Sequence, residues 1–180
     1  MLPALKGYDP KAVPSGGRGE PIKVGIATRD RQQMQGGERS VALRWSGGSA
    51  PFHILIQTTI TGEILCDQMI AGTSVRCASA KYEPGSYTVY IRDRWGAEKS
   101  FSFESRKSTP GDCFDTAKLV QRSSDVRLAT TASAIQVLSC GSEWRFEAYQ
   151  ILADLWAEYQ PAEVVVEGIE GGYDVASDRK

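Results

Sequence analysis

The chain reads as an antiparallel β-sandwich followed by a small helical cluster, and three observations predict it. Residues 84–103 spell a complete hairpin. Pro84-Gly85 makes a turn, because Pro presets φ and Gly accepts positive φ. Tyr87, Val89 and Ile91 then alternate with Thr88, Tyr90 and Arg92, the period of a strand with one buried face. Asp93 to Gly96 reverses the chain, and Phe101 and Phe103 alternate with Ser100, Ser102 and Glu104. Second, short runs of this kind recur, seven in about 85 residues, a spacing typical of sandwiches and barrels. Third, the texture changes at residue 105, where period-two alternation gives way to helical spacing.

Each element follows in order. Residues 1–21 hold four prolines and four glycines, so no helix forms there and the segment is expected to be extended or disordered. Ile22, Val24 and Ile26 predict a first strand, and polar residues 29–39 a loop. Val41, Leu43 and Trp45 share one side of a second strand, with Ala42 and Arg44 on the other. Phe52–Thr59, Glu63–Met69 and Thr73–Ala78 complete the set before the closing hairpin. The sandwich therefore spans residues 22–105.

Residues 106–172 are expected to hold about three helices. Asp112 caps a short one ending near Arg122. Ser124-Asp125 caps another, whose apolar stripe is Leu128, Ala132, Ile135 and Ser139. Ser142 starts the next, with Phe146, Tyr149, Ala153 and Trp156 on one face and Glu143, Glu147, Asp154 and Glu158 opposite. Pro161 suits a first helical turn, and Gly171-Gly172 ends the helix over Ala162–Ile169. Residues 173–180 read as a flexible tail.

The formal net charge of −1 lacks the basic excess of a nucleic-acid or membrane-surface binder. Charge is nonetheless uneven. Residues 1–39 carry seven Lys/Arg against four Asp/Glu, whereas residues 142–180 carry three against nine. The acidic end fits a solvated helical face or a basic partner. No run reaches the ~20 apolar residues of a membrane span. Met1-Leu-Pro-Ala-Leu-Lys lacks the features of a signal peptide, so the chain either works in the cytoplasm or follows a signal or anchor that has been removed.

Cys66, Cys77, Cys113 and Cys140 are the candidate disulfide partners. Cys66 and Cys77 fall in the sandwich and the other two in the helical part, but four cysteines allow three pairings. No Cys-x-x-Cys occurs, which argues against zinc or thioredoxin-like chemistry.

Two stretches, Leu43-Arg-Trp-Ser-Gly-Gly-Ser-Ala-Pro-Phe52 and Glu83-Pro-Gly-Ser-Tyr-Thr-Val-Tyr-Ile-Arg-Asp-Arg-Trp-Gly96, resemble the entry and exit of bacterial PKD-like and related immunoglobulin-like modules. The resemblance covers roughly residues 22–104. It implies an adhesive or spacer domain of the cell envelope or periplasm, without catalysis. Trp144, Glu147-Ala148-Tyr149, Leu152 and Pro161 resemble a tetratricopeptide-type helical hairpin. Such repeats stack in threes to be stable alone, so a single one must pack on the sandwich or on a partner.

His53 is the sole histidine. It is opposite in parity to Phe52 and Ile54, and no Gly-x-Ser-x-Gly elbow accompanies it, so it reads as an ordinary strand residue. Neither a calcium loop nor a phosphate loop is present as a motif. Arg92, Arg94 and Trp95 form a basic, aromatic hairpin tip that suits a sugar, a base or a carboxylate, or simply solvent. Trp144, Tyr149 and Trp156 are either a docking surface or the core of a helix–sandwich contact. The expectation is a non-catalytic protein-interaction or assembly module with another protein as partner and no cofactor. A glycan- or surface-binding module is the alternative, and a hydrolase acting through His53 comes last.

Overall fold

The computed structural model describes residues 19–28, 32–107 and 124–172. Nine strands lie among them: β1 (Gln32–Gln35), β2 (Gly37–Arg39), β3 (Ala42–Arg44), β4 (Phe52–Thr58), β5 (Ile64–Ile70), β6 (Ser74–Arg76), β7 (Ala80–Tyr82), β8 (Gly85–Arg92) and β9 (Glu98–Arg106). Three helices follow, α1 (Val126–Leu138), α2 (Arg145–Ile151) and α3 (Gln160–Glu170). The expected extended start up to residue 18, the helix after Asp112, Cys113 and the tail lie outside the described residues.

The larger sheet has the order β1-β9-β8-β4-β5, antiparallel except for the β1–β9 pair. Opposite it lie β3 paired with β6 and β2 paired with β7, both antiparallel. Tyr87, at the start of β8, donates its hydroxyl to the Glu83 carbonyl at 2.8 Å, the tyrosine corner of immunoglobulin-like sandwiches. The architecture is thus an immunoglobulin-like β-sandwich with three C-terminal helices.

Alternation places the core as expected. Ile54, Ile56, Val89, Ile91 and Phe103 are buried from the large sheet, and Val41, Leu43 and Trp45 from the other. Trp45 meets Phe52 edge to face at 5.2 Å, joining the two sheets. In the loop between them Gly47 has φ +73°, and a Cβ there would collide with the Pro21 carbonyl.

Three expectations are corrected. The polar segment 29–39 is not simply a loop, because β1 and β2 lie within it. Met34 and Gln32 of β1 are buried, and the strand is held by parallel pairing to β9. Ile22, Val24 and Ile26 do alternate inward, but only the Lys23–Ser46 bridge forms before a 3-10 turn at Gly25–Thr28. The stripe Leu128, Ala132, Ile135 and Ser139 faces outward. Leu128 is 51% exposed and Ile135 43%, while Ala129, Ser133, Ala134, Val137 and Leu138 are buried. Small residues let α1 approach its neighbours closely, and close packing outweighed hydrophobicity in choosing the buried face.

The helical ends follow local chemistry more closely. Asp125 caps α1 by accepting from the Arg127 and Leu128 amides at 2.9 and 3.3 Å. Pro161 sits in the first turn of α3. The helix expected from Ser142 through Trp156 is interrupted, since α2 ends at Ile151 and turns follow to Glu158.

One core runs through both parts. Phe146 of α2 enters the sheet's aromatic cluster, with its ring centroid 4.8 Å from Phe103 and 5.9 Å from Phe101. Polar groups complete the seam. The Gln150 side-chain amide accepts from Ala42 N at 2.8 Å and donates to Ala42 O at 2.9 Å. Arg44 N donates to the Tyr149 hydroxyl at 3.0 Å, and Gln35 N to Glu147 Oε2 at 2.9 Å. Side chains of α2 thus occupy backbone positions that another strand would fill.

Candidate interaction face

With the helices packed beside β1 and β3, the solvent side of the large sheet stays open among the described residues. Register decides what lies on it. His53 pairs across β4–β8 with Arg92, Leu55 with Tyr90, and Arg92 across β8–β9 with Glu98. Side chains opposite one another share a face, so these residues and Gln57 line one shallow groove of about 210 Å³. Small-molecule pockets usually enclose ~300–1,000 Å³. This groove is smaller and open, a shape for a surface rather than an enclosed ligand.

A hydrogen-bonded pair and an ion pair frame it. His53 Nε2 lies 2.7 Å from Asp67 Oδ1. Arg92 donates through Nε and Nη2 to Glu98 Oε2 at 3.0 and 2.7 Å. Between and beside them stand half-buried Leu55 and Tyr90 and exposed Met69. An apolar centre with a polar rim is the anatomy of a protein interface, where Tyr, Met and Arg are enriched.

At the end of the sheet, buried Asp93 organises the hairpin tip. Its Oδ1 accepts from Trp95 N and Ala97 N, both at 2.9 Å, and its Oδ2 from Ser49 N at 3.2 Å. Arg94 N returns a bond to Ser49 O at 3.1 Å. The tip is therefore fastened to the loop before β4. Trp95 is 45% exposed, with the Arg94 guanidinium 4.6 Å from its ring centroid.

The basic tip read from the sequence is thus divided. Arg92 is committed to Glu98 on the sheet, and Arg94 folds over Trp95. His53 points outward, one of the two directions that its parity left open. Trp144 and Tyr149 are not displayed at all, being buried in the helix–sheet seam. Trp156 packs half-buried against Tyr149 at 4.8 Å and under the Arg44 guanidinium. Burial pushes the Tyr149 phenol up, with the nearby Glu170 carboxylate adding to the effect. Arg44 is raised by its bonds to Glu170, at 2.7 and 2.8 Å.

Cys66 of β5 is joined to Cys77, in the segment between β6 and β7, bridging the two sheets. Cys140 is half-buried after α1, its Sγ 3.4 Å from the Gln136 carbonyl oxygen. Leu55, Tyr90, Gln57 and Glu98 escaped the sequence reading. Their positions one face over from the core were legible, but which outer face would remain uncovered was not.

No family model and no curated protein matches the chain. Among solved structures it is similar to CopC from Methylosinus trichosporium OB3b, at 22% identity over 43% of this chain and 84% of that one, with a TM-score of 0.33. It is also similar to a chain of the ZIG-8–RIG-5 IG1–IG1 heterodimer, at 9% identity over 44% and 83%, with a TM-score of 0.29. The fold assignment rests on the strand order and the tyrosine corner. No helix among the described residues is long and apolar enough to cross a membrane.

Proposed function

We propose that this chain is a non-catalytic protein-interaction module that docks a partner on the open face of its large sheet. The observation that carries the reading is the groove of Leu55 and Tyr90 rimmed by His53–Asp67 and Arg92–Glu98. The groove's lining residues, His53, Leu55, Gln57, Tyr90, Arg92 and Glu98, include no serine, threonine or cysteine for His53 to activate, which favours recognition over hydrolysis. The Cys66–Cys77 disulfide supports an oxidising compartment, and the PKD-like resemblance supports a bacterial envelope or periplasm as that compartment.

The test is affinity capture with crosslinking, comparing the natural chain with Leu55→Asp and Tyr90→Ala. These half-buried side chains are on the outer face, so the variants should fold while losing a stoichiometric partner that the natural chain retains. A partner held equally well by all three chains rejects the face. A glycan-binding reading is favoured by one feature, the exposed Trp95 on a rigidly held tip. Glycan-array binding that disappears in Trp95→Ala supports that alternative, and a blank array removes it.

A further inference from the structure

We infer that a protein partner docked on the open sheet face places a carboxylate against Arg94, at the hairpin tip where that face ends. This rests on the docking face proposed above and names the chemistry which that face receives.

The charged side chains on this side of the molecule are engaged almost everywhere. On the outer surface of the large sheet Asp67 is bonded to His53 at 2.7 Å, Glu98 to Arg92 at 2.7 Å, and Glu104 to Arg106 at 2.5 Å. Lys99 opposes buried Ile91 across β8–β9, so it leaves the sheet on the inner side. Arg94 is the exception. Arg39, Arg44, Arg76 and Arg127 also have a carboxylate oxygen within 3.7 Å, whereas exposed Arg94 has none among the described residues.

The acid next to it in the chain is spent elsewhere. Asp93 accepts from Trp95 N and Ala97 N through Oδ1 and from Ser49 N through Oδ2. Those bonds fix the turn, and the Arg94 guanidinium then lies 4.6 Å from the Trp95 ring centroid. The contact with the ring holds the cation in place. It leaves the in-plane N–H donors, a fork that fits a carboxylate, without an acceptor among the described residues. A turn and side chain already ordered lose less freedom when a ligand arrives than a loose surface arginine does.

Position joins the tip to the groove. Arg92 and Glu98 pair across β8–β9 at the end of the groove, and Arg94 and Trp95 lie in the turn between them. A partner lying on Leu55 and Tyr90 reaches the tip by passing that pair. Trp and Arg are enriched among the residues that dominate binding at interfaces, and Trp95 is 45% exposed. A carboxylate opposite Arg94 therefore sets the partner's orientation on the face.

A displayed library of random peptides tests this, selected on the natural chain and on Leu55→Asp, Arg94→Gln and Arg94→Glu. Peptides held by the natural chain and lost on Leu55→Asp should share an Asp or Glu at one position. Changing that acid to its amide should weaken binding to the natural chain about tenfold and binding to Arg94→Gln much less. Selection on Arg94→Glu should put Lys or Arg at that position instead. Peptides that need Leu55 but carry no acid tied to Arg94 overturn the inference and leave the docking face standing. A library without any Leu55-dependent peptide overturns both. Acidic-glycan binding that Arg94→Gln abolishes, with no such peptide selected, moves the carboxylate to a sugar and also overturns it.

Discussion

The two lateral edges of the sandwich face the same physical problem and meet it differently. At one edge β3 turns the backbone groups of Ala42 and Arg44 outward, and α2 receives them with Gln150 and Tyr149. Beside it, Gln35 of β1 is received by Glu147, which also holds Arg39 at 2.8 Å. At the other edge β5 turns the backbone groups of Asp67 and Met69 outward, and no strand among the described residues pairs with them. There the two sheets are fastened by the Cys66–Cys77 bond instead. The difference teaches that the helices are part of the sandwich, serving as a surrogate edge strand, and that a covalent tie leaves its edge available.

The comparison breaks most sharply at the closed edge's apolar anchor. Phe146→Ala should cost about 4 kcal/mol, since a fully buried ring leaves a cavity between Phe103 and Tyr149. Urea unfolding monitored by Trp fluorescence measures it. Cutting the open edge's tie, by the double substitution Cys66→Ala and Cys77→Ala, should cost about 3 kcal/mol for a loop this short. Reductant should then change the unfolding midpoint of the natural chain and leave that of the double variant in place.

Gln150→Ala leaves both Ala42 backbone groups without their partner and should cost about 2 kcal/mol. Hydrogen exchange at Ala42 should rise more than exchange in β8, which sharpens the claim that α2 acts as a strand. The smallest effect belongs to Tyr149→Phe, about 1 kcal/mol at neutral pH for one lost bond.

That variant also reads the pH dependence. Burial holds the Tyr82 phenol up to about 12 and pushes Tyr149 upward as well. An unfolded tyrosine ionises near 10. Between those values the unfolded chain binds fewer protons than the folded one, so stability present below pH ~10 falls as pH rises toward 12. Near-UV circular dichroism across pH 9–12 should show the loss, with a shallower decline in Tyr149→Phe.

Much of this was legible in the chain. The hairpin Gly85–Arg106 was written in alternation and turn residues, and Asp125 and Pro161 announced their helices. The strands β1 and β2 were hidden because Gln32-Gln-Met-Gln and Gly37-Glu-Arg carry little apolar signal and owe their form to their neighbours. The outward stripe of α1 misled for a related reason, since periodicity identifies a helix without saying which side its neighbours can approach.

By itself the sequence determined much of the local geometry: where the chain turns, which strand residues alternate inward, and that Asp125 caps α1, though the cap expected at Ser142 does not form. Those choices rest on short-range sterics and hydrogen bonding, which travel with the residues. The tertiary structure alone decided that Trp144 and Tyr149 are buried, that Cys66 meets Cys77, and that one sheet face and one edge remain open among the described residues. Each depends on which surfaces meet across long sequence separations, and burial is a property of both partners, not of either segment alone.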